Sequence, residues 1–171
     1  LNKVSRIRLQ GGHVAGCSGI LLGHQTYANN GQITLDAVAV GYFDYNFYTT
    51  DNFWRTAFYN CFSWNPLTHK FYYGSSVNAG EEICFYSCFF ADGPGEFRID
   101  APFGKFNFYG CSFGNCKFTI AAGAQVTYTN FFGCNFENGG NNSSYQFVDI
   151  AAPQCNVAMY NSSITWDVPA V

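Results

Sequence analysis

Charge is what this chain has least of. Only 11% of its residues are charged, against about a quarter in an ordinary soluble domain. Eight Lys and Arg stand against eleven Asp and Glu, for a formal net charge of −3. No basic run exceeds a few residues, which removes the electrostatic footprint that a nucleic-acid partner requires. Long apolar runs are missing too. Nothing approaches the roughly 18 residues of a spanning helix, so membrane insertion is not expected, and no signal peptide is visible. The three histidines, His13, His24 and His69, do not cluster with thiols, so no metal centre and no other cofactor is expected. There is no nucleophile elbow and no phosphate-binding glycine loop. The 3.6-residue period of amphipathic helices is absent as well.

What remains is apolar and aromatic. The chain is 48% hydrophobic and 20% aromatic. Its 171 residues suffice for one domain with a continuous core and are short for two. It opens at Leu1 inside a strand-like pattern, which is the expectation for a piece of a larger protein. The whole span 1–171 is read as a single domain.

The organisation is a repeat. Phe58-Tyr-Asn-Cys-Phe, Phe85-Tyr-Ser-Cys-Phe, Phe108-Tyr-Gly-Cys-Ser-Phe and Phe131-Phe-Gly-Cys-Asn-Phe place Cys61, Cys88, Cys111 and Cys134 at spacings of 27, 23 and 23. Extending the frame puts Ser162, Val38 and Gly12 at the same reference place, for about seven coils. Five residues before the reference stand Ile7, Ile33, Thr56, Ile83, Phe106, Thr129 and Val157. Three before stand Leu9, Leu35, Phe58, Phe85, Phe108, Phe131 and Met159; two after stand Val14, Val40, Ser63, Phe90, Phe113, Phe136 and Ile164. Such apolar and β-branched columns mark inward strand positions. The alternation breaks one residue before the reference, at Gly11, Ala37, Asn60, Ser87, Gly110, Gly133 and Asn161, where small residues and Asn suit a bend. A third strand follows, as in Lys70-Phe-Tyr-Tyr and Lys117-Phe-Thr-Ile. Three short strands per coil predict an all-β fold, a single-stranded right-handed parallel β-helix of about seven coils. A leucine-rich repeat would need an Asn in a fixed leucine frame and a convex helix, and neither is present.

The cysteine column reads most simply as small buried hydrophobes stacked on their copies. Disulfides between neighbouring rungs are the alternative, because stacked strands bring Cα atoms within bonding range. Two residues before the reference, on the outward side, stand Tyr59, Tyr86, Tyr109, Phe132 and Tyr160. Such a stripe calls for a cover, either a loop or another subunit, or else forms a platform for sugar rings.

The few carboxylates carry the catalytic expectations. Asp92 (in Phe90-Ala-Asp-Gly) and Glu137 (in Phe136-Glu-Asn-Gly) are expected at matched loop positions two coils apart, with Asn115 between them. Two strand spacings give about 10 Å between backbones. Inverting glycosidases hold their carboxyls about 6.5–9.5 Å apart, so the pair fits inversion if the side chains lean together. The plainer alternative is that both are turn residues beside Gly. Glu81 and Glu82 open the fourth coil. Adjacent strand residues point to opposite faces, so at most one reaches a given groove, and they are either a solvated loop or a source of a general acid. Trp54, Trp64 and Trp166, with Arg55 and Arg98, are candidates for lining a sugar groove, and core or interface packing is the equal alternative.

The runs Trp54…Phe58-Tyr-Asn-Cys-Phe-Ser-Trp, Ala79-Gly-Glu-Glu-Ile-Cys-Phe-Tyr-Ser-Cys-Phe-Phe-Ala-Asp and Val126…Cys134-Asn-Phe-Glu-Asn resemble the β-helix of bacteriophage tailspike proteins, which belong to the pectate-lyase-like fold and include many capsule depolymerases. The resemblance covers roughly Ile33 to Ile164. It implies a homotrimer in the virion tail that binds bacterial surface polysaccharide, capsule or lipopolysaccharide, and hydrolyses it with Asp and Glu. It also implies folding in the reducing host cytoplasm, where thiols stay free. Glu81, Glu82, Asp92 and Glu137 are the acids it carries over. A non-catalytic tail-fibre or adhesin module and a polysaccharide lyase are the competing readings. The scattered basic residues weaken the lyase.

Overall fold

The computed structural model describes residues 2–23, 31–51, 53–74, 82–124, 126–138 and 147–166. Every regular element among them is a β-strand. The chain begins with β1 (Asn2–Gln10) and β2 (Ser18–Leu22), then β3 (Ile33–Gly41) and β4 (Tyr45–Thr49). Four regular coils follow: β5 (Thr56–Tyr59), β6 (Phe62–Trp64), β7 (His69–Tyr73); β8 (Ile83–Tyr86), β9 (Phe89–Ala91), β10 (Glu96–Ile99); β11 (Phe103–Tyr109), β12 (Ser112–Gly114), β13 (Lys117–Ile120); and β14 (Val126–Phe132), β15 (Asn135–Asn138), β16 (Val148–Ile150). β17 (Gln154–Tyr160) and β18 (Ser163–Trp166) close the sequence of strands. Each strand pairs in parallel with its counterpart one coil away. The result is a parallel β-helix with three faces. The first carries β3, β5, β8, β11, β14 and β17, the second β6, β9, β12, β15 and β18, and the third β2, β4, β7, β10, β13 and β16. The long β3 serves both of the first two faces, pairing with β5 through its first half and β6 through its second.

The solenoid has about five closed turns, fewer than the seven rungs counted in the sequence. The difference lies at the two ends. β1 is exposed along nearly its whole length, and no third-face strand follows β18 among the described residues. A rung that encloses no core is a rung but not a turn.

The expected register holds for Leu35, Phe58, Phe85, Phe108, Phe131 and Met159, and for Val40, Ser63, Phe90, Phe113, Phe136 and Ile164. It fails in the first coil. Ile7, not Gly12, pairs with Val38, a slip of five residues from the expected frame. The backbone explains why. The bend column has positive φ throughout, at Ala37 (55°), Asn60 (51°), Ser87 (50°), Gly110 (60°), Gly133 (60°) and Asn161 (48°), and in the first coil the residue with that conformation is Arg6 (55°). Side-chain chemistry favoured Gly11, whereas β-pairing over eight residues fixed Arg6 there.

The interior is a triangular prism of phenylalanines. Phe58, Phe85, Phe108 and Phe131 stack with centroids 4.7–4.9 Å apart. Phe71, Phe97 and Phe118 form the third-face column at 4.5 and 5.0 Å, and Phe90, Phe113 and Phe136 the second-face column at 5.4 and 4.8 Å. Rings of different columns meet edge to face, as Phe97 and Phe108 do at 78°. Stacked rungs and T-shaped corners are both favourable quadrupole geometries. This explains how a chain with so little charge and so much Phe folds into a defined core.

All eight cysteines are free. The four reference thiols lie buried in a row, each donating to the carbonyl of the column three back on the rung before: Cys61 to Leu35, Cys88 to Phe58, Cys111 to Phe85 and Cys134 to Phe108, at 3.4–3.6 Å. Ser162 makes the same bond to Phe131 at 3.4 Å. From Cys61 onward the column holds a small side chain that can donate weakly inside a core, which Cys and Ser both supply, while Val38 fills the same place by packing alone.

Candidate functional site

After the second face the chain turns again at residues of positive φ: Tyr42 (65°), Asn65 (43°), Asp92 (53°) and Asn115 (48°). Asn and Asp tolerate this region better than other side-chain-bearing residues. The amide of Asn65 donates to the Asp92 carbonyl and that of Asn115 to the Glu137 carbonyl, both at 2.9 Å, which ties one corner to the next. Asp92 and Asn115 share this corner column. Glu137 does not, because it pairs with Gly114 and so stands one residue earlier, on the strand. The matched positions expected for the two acids are corrected by one residue.

The two acids nevertheless border one cleft. Asp92, Asn115 and Glu137 line one cleft of about 230 Å³ together with Phe89, Ala91 and Gly114. Ala91 and Gly114 keep it open. A Cβ on Gly114 would come within 3.3 Å of the Ala91 Cβ. Two strand spacings and one residue along the strand separate the acid-bearing backbones by about 10 Å.

Beneath the corner lies Lys70, with no exposed surface. Its ammonium donates to the carbonyls of Gly93 (3.0 Å), Pro94 (3.2 Å), Gly95 (3.1 Å) and Asn115 (3.2 Å). Burial pulls its pKa below the usual lysine value, opposed by the neighbouring Cys116 and Asp92. Gly93 (φ 69°) and Gly95 (φ 106°) allow three successive carbonyls to converge on one amine. Lys70 is thus the internal pin that holds the loop following Asp92.

On the other side of the corner, Asn115 lines a second cleft of about 320 Å³ with Thr68, Pro94, Gly95, Glu96 and Lys117. Glu96 anchors a surface network on the third face. It faces His69 at 3.4 Å and Arg98 at 3.2 Å, and accepts a hydrogen bond from Thr119. Burial works against its ionisation, but the hydrogen bonds from His69, Thr119 and Arg98 prevail and hold its pKa down at about 2. Lys117 is paired with Asp149 at 2.6 Å. Asn115 lines both clefts, which therefore adjoin at the corner.

The other expected residues lie elsewhere. Trp64 is 6% exposed and roofs Gly41, with Phe62 stacked on it at 5.1 Å and the Arg8 guanidinium over it at 5.2 Å. Trp54 packs on Gly31. Arg98 sits on the third face, bonded to Glu96 and Asp100. Glu82 is exposed on the first-face side, 3.9 Å from Lys105, in a separate hollow with Arg55, Cys84 and Tyr86. Glu81 lies outside the described residues. Phe89, Glu96, Thr68 and Lys117 are lining residues that sequence reading passed over. Reading the column one residue after the reference would have found Phe89, since it runs Phe62, Phe89, Ser112, Asn135 and turns from aromatic to polar there.

Compared with known proteins, the chain matches no protein-family model, and no curated protein shows significant similarity to it. The parallel β-helix itself is compatible with the pectate-lyase-like fold.

Proposed function

We propose that this β-helix binds an extended bacterial surface polysaccharide, capsule or lipopolysaccharide, across the two corner clefts and hydrolyses it between Asp92 and Glu137. The observation that carries the reading is that these two acids, far apart in sequence, line one cleft with Asn115, and that Asn115 also lines a second cleft. A polymer needs more than one subsite, and adjacent hollows joined by an amide supply two. Backbones about 10 Å apart leave room for a water between the carboxyls, as inversion requires. One carboxyl, protonated, gives its proton to the glycosidic oxygen as the C–O bond breaks. The other, ionised, takes a proton from the water that attacks the anomeric carbon. The products are two shorter chains, one with a new reducing end, and no cofactor is called on.

The setting proposed is that of a phage tailspike: a homotrimer on the virion tail, folded in a reducing cytoplasm. The free thiol row and the β-helix are consistent with it. One observation favours a binding-only module instead. Asp92 occupies a corner where Tyr42, Asn65 and Asn115 also sit, so the fold itself asks only for tolerance of positive φ. A lyase has less support, because among the described residues Lys117 is the one basic side chain lining either cleft and it already holds Asp149. The test is incubation with a panel of capsule and lipopolysaccharide glycans, reading binding and reducing ends separately. Release is expected. Binding without release selects the non-catalytic module, and no binding to any glycan overturns the reading.

A further inference from the structure

Two rows of aromatic side chains face outward, and they differ in what they leave free. On the first face Tyr59, Tyr86, Tyr109, Phe132 and Tyr160 stack at 4.7–5.0 Å with interplanar angles of 7–9°. The faces of Tyr86, Tyr109 and Phe132 are spent on their neighbours, which leaves ring edges to solvent along the middle of the row. A sugar stacks through its apolar C–H face on a free ring face, so the middle of this row is not a sugar platform, and its two end rings, Tyr59 and Tyr160, do not line the cleft of the two acids. On the second face the row is Trp64, Phe62 and Phe89, with spacings of 5.1 and 5.2 Å, and it stops at Phe89. The next rung places Ser112 opposite Phe89 and the one after it Asn135. Phe89 therefore has Phe62 on one side of its ring and no further ring stacked on the other among the described residues. It is 40% exposed and lines the cleft of Asp92, Asn115 and Glu137.

We propose that the open face of Phe89 is the platform on which one pyranose ring of the substrate sits, its hydroxyls reaching the Asn115 amide and the carboxylates of Asp92 and Glu137. The inference rests on the polysaccharide reading above and adds to it the class of sugar. The cleft offers an aromatic face, an amide and two carboxylates, and no basic side chain among the described residues lines it. It therefore takes a neutral pyranose with an unbroken apolar face and rejects a uronate or sialate at this subsite. Its small floor at Ala91 and Gly114 and its volume of about 230 Å³ suit one such ring.

The test uses the Glu137→Gln protein, to prevent turnover, with four probes: glucan and galactan hexasaccharides beside polyuronate and polysialate oligomers, together with whichever panel glycan the wild type binds. Phe89→Ala is expected to weaken binding of the neutral probe about tenfold or more, and Phe89→Tyr to stay within about threefold. Ser112→Phe guards against a folding artefact. It continues the ring stack by one rung, covers the open face, and is expected to abolish binding while the fold is kept or strengthened. Wild-type binding in both Phe89→Ala and Ser112→Phe would overturn the platform and leave the polysaccharide reading standing. Preference for the polyuronate would overturn the neutral-sugar assignment. A change of oligomeric mass in Phe89→Ala with unchanged glycan affinity would give this face to a second copy of the chain and overturn the proposal. Absence of binding to every glycan by the starting protein would remove the polysaccharide reading and the platform with it.

Discussion

Gly133→Ala is expected to destabilise the β-helix by about 1 kcal/mol, and Ala37→Gly, at the same bend column, to stabilise it by up to a similar amount. Gly133 has φ 60° and Ala37 has φ 55°. A Cβ added at Gly133 meets nothing within 4 Å, so no clash or new contact confuses the result. What remains is the left-handed conformation itself, which costs an L side chain about 1–2 kcal/mol. The substitution returns about 0.4–1 kcal/mol by restricting the unfolded chain, which leaves the net loss near 1. Ala37 is exposed and carries the strain already, so removing its Cβ runs the same account backwards. For a chain of this length about 1 kcal/mol moves the melting temperature by roughly 2–4 °C. Urea unfolding followed by circular dichroism reads both changes as midpoint shifts at constant slope. Gly12→Ala is the control. Its Cβ also meets nothing within 4 Å, and its φ is not positive, so it is expected to be near neutral. A neutral Gly133→Ala, or an Ala37→Gly that destabilises, would refute the account of the bend column.

Lys70→Met leaves four carbonyls without their buried donor and is expected to cost about 2–4 kcal/mol, with faster amide exchange over residues 92–95 and 115; unchanged stability and exchange would show that the pin is not needed. The pKa of Glu96 is lowered from 4.5 to about 2, so its contribution is full above pH 4.5 and is lost as the pH falls towards 2. Glu96→Gln should therefore flatten the acid limb of the stability–pH curve across that window, and an unaltered limb would contradict the network. Under native conditions a thiol reagent should modify exposed Cys17 first and reach Cys61, Cys88, Cys111 and Cys134 only on unfolding; rapid modification of all eight would contradict the buried row.

Much of the fold was legible because a solenoid writes its geometry into the sequence once per rung. The columns through Phe108 and Phe113 repeat often enough that composition and spacing agree. The first coil was misread because Gly11 looked like a better bend than Arg6. Hydrogen-bond register outweighed that local preference. The site was only partly legible. Asp92 and Glu137 stood out because acids are scarce, and Asn115 because it stands between them. Trp64 read equally well as a groove or a packing residue, and it packs: its ring fills the gap left by Gly41, a contact one rung away that spacing alone does not reveal. Arg98 shares its strand with Glu96, yet its guanidinium is bonded to Glu96 and Asp100 and it lines neither cleft. Phe89 was missed because a Phe in a chain with nineteen of them carries no compositional signal. Its meaning lies in what the next rung lacks.

The central claim is that Asp92 and Glu137 cleave a polysaccharide in the corner cleft. It is tested most directly by a reducing-end assay on bound glycan with the wild type, Asp92→Asn and Glu137→Gln side by side. The account predicts release by the wild type and a loss of at least a hundredfold in each variant with glycan affinity and fold retained. Wild-type rates in both variants would contradict it.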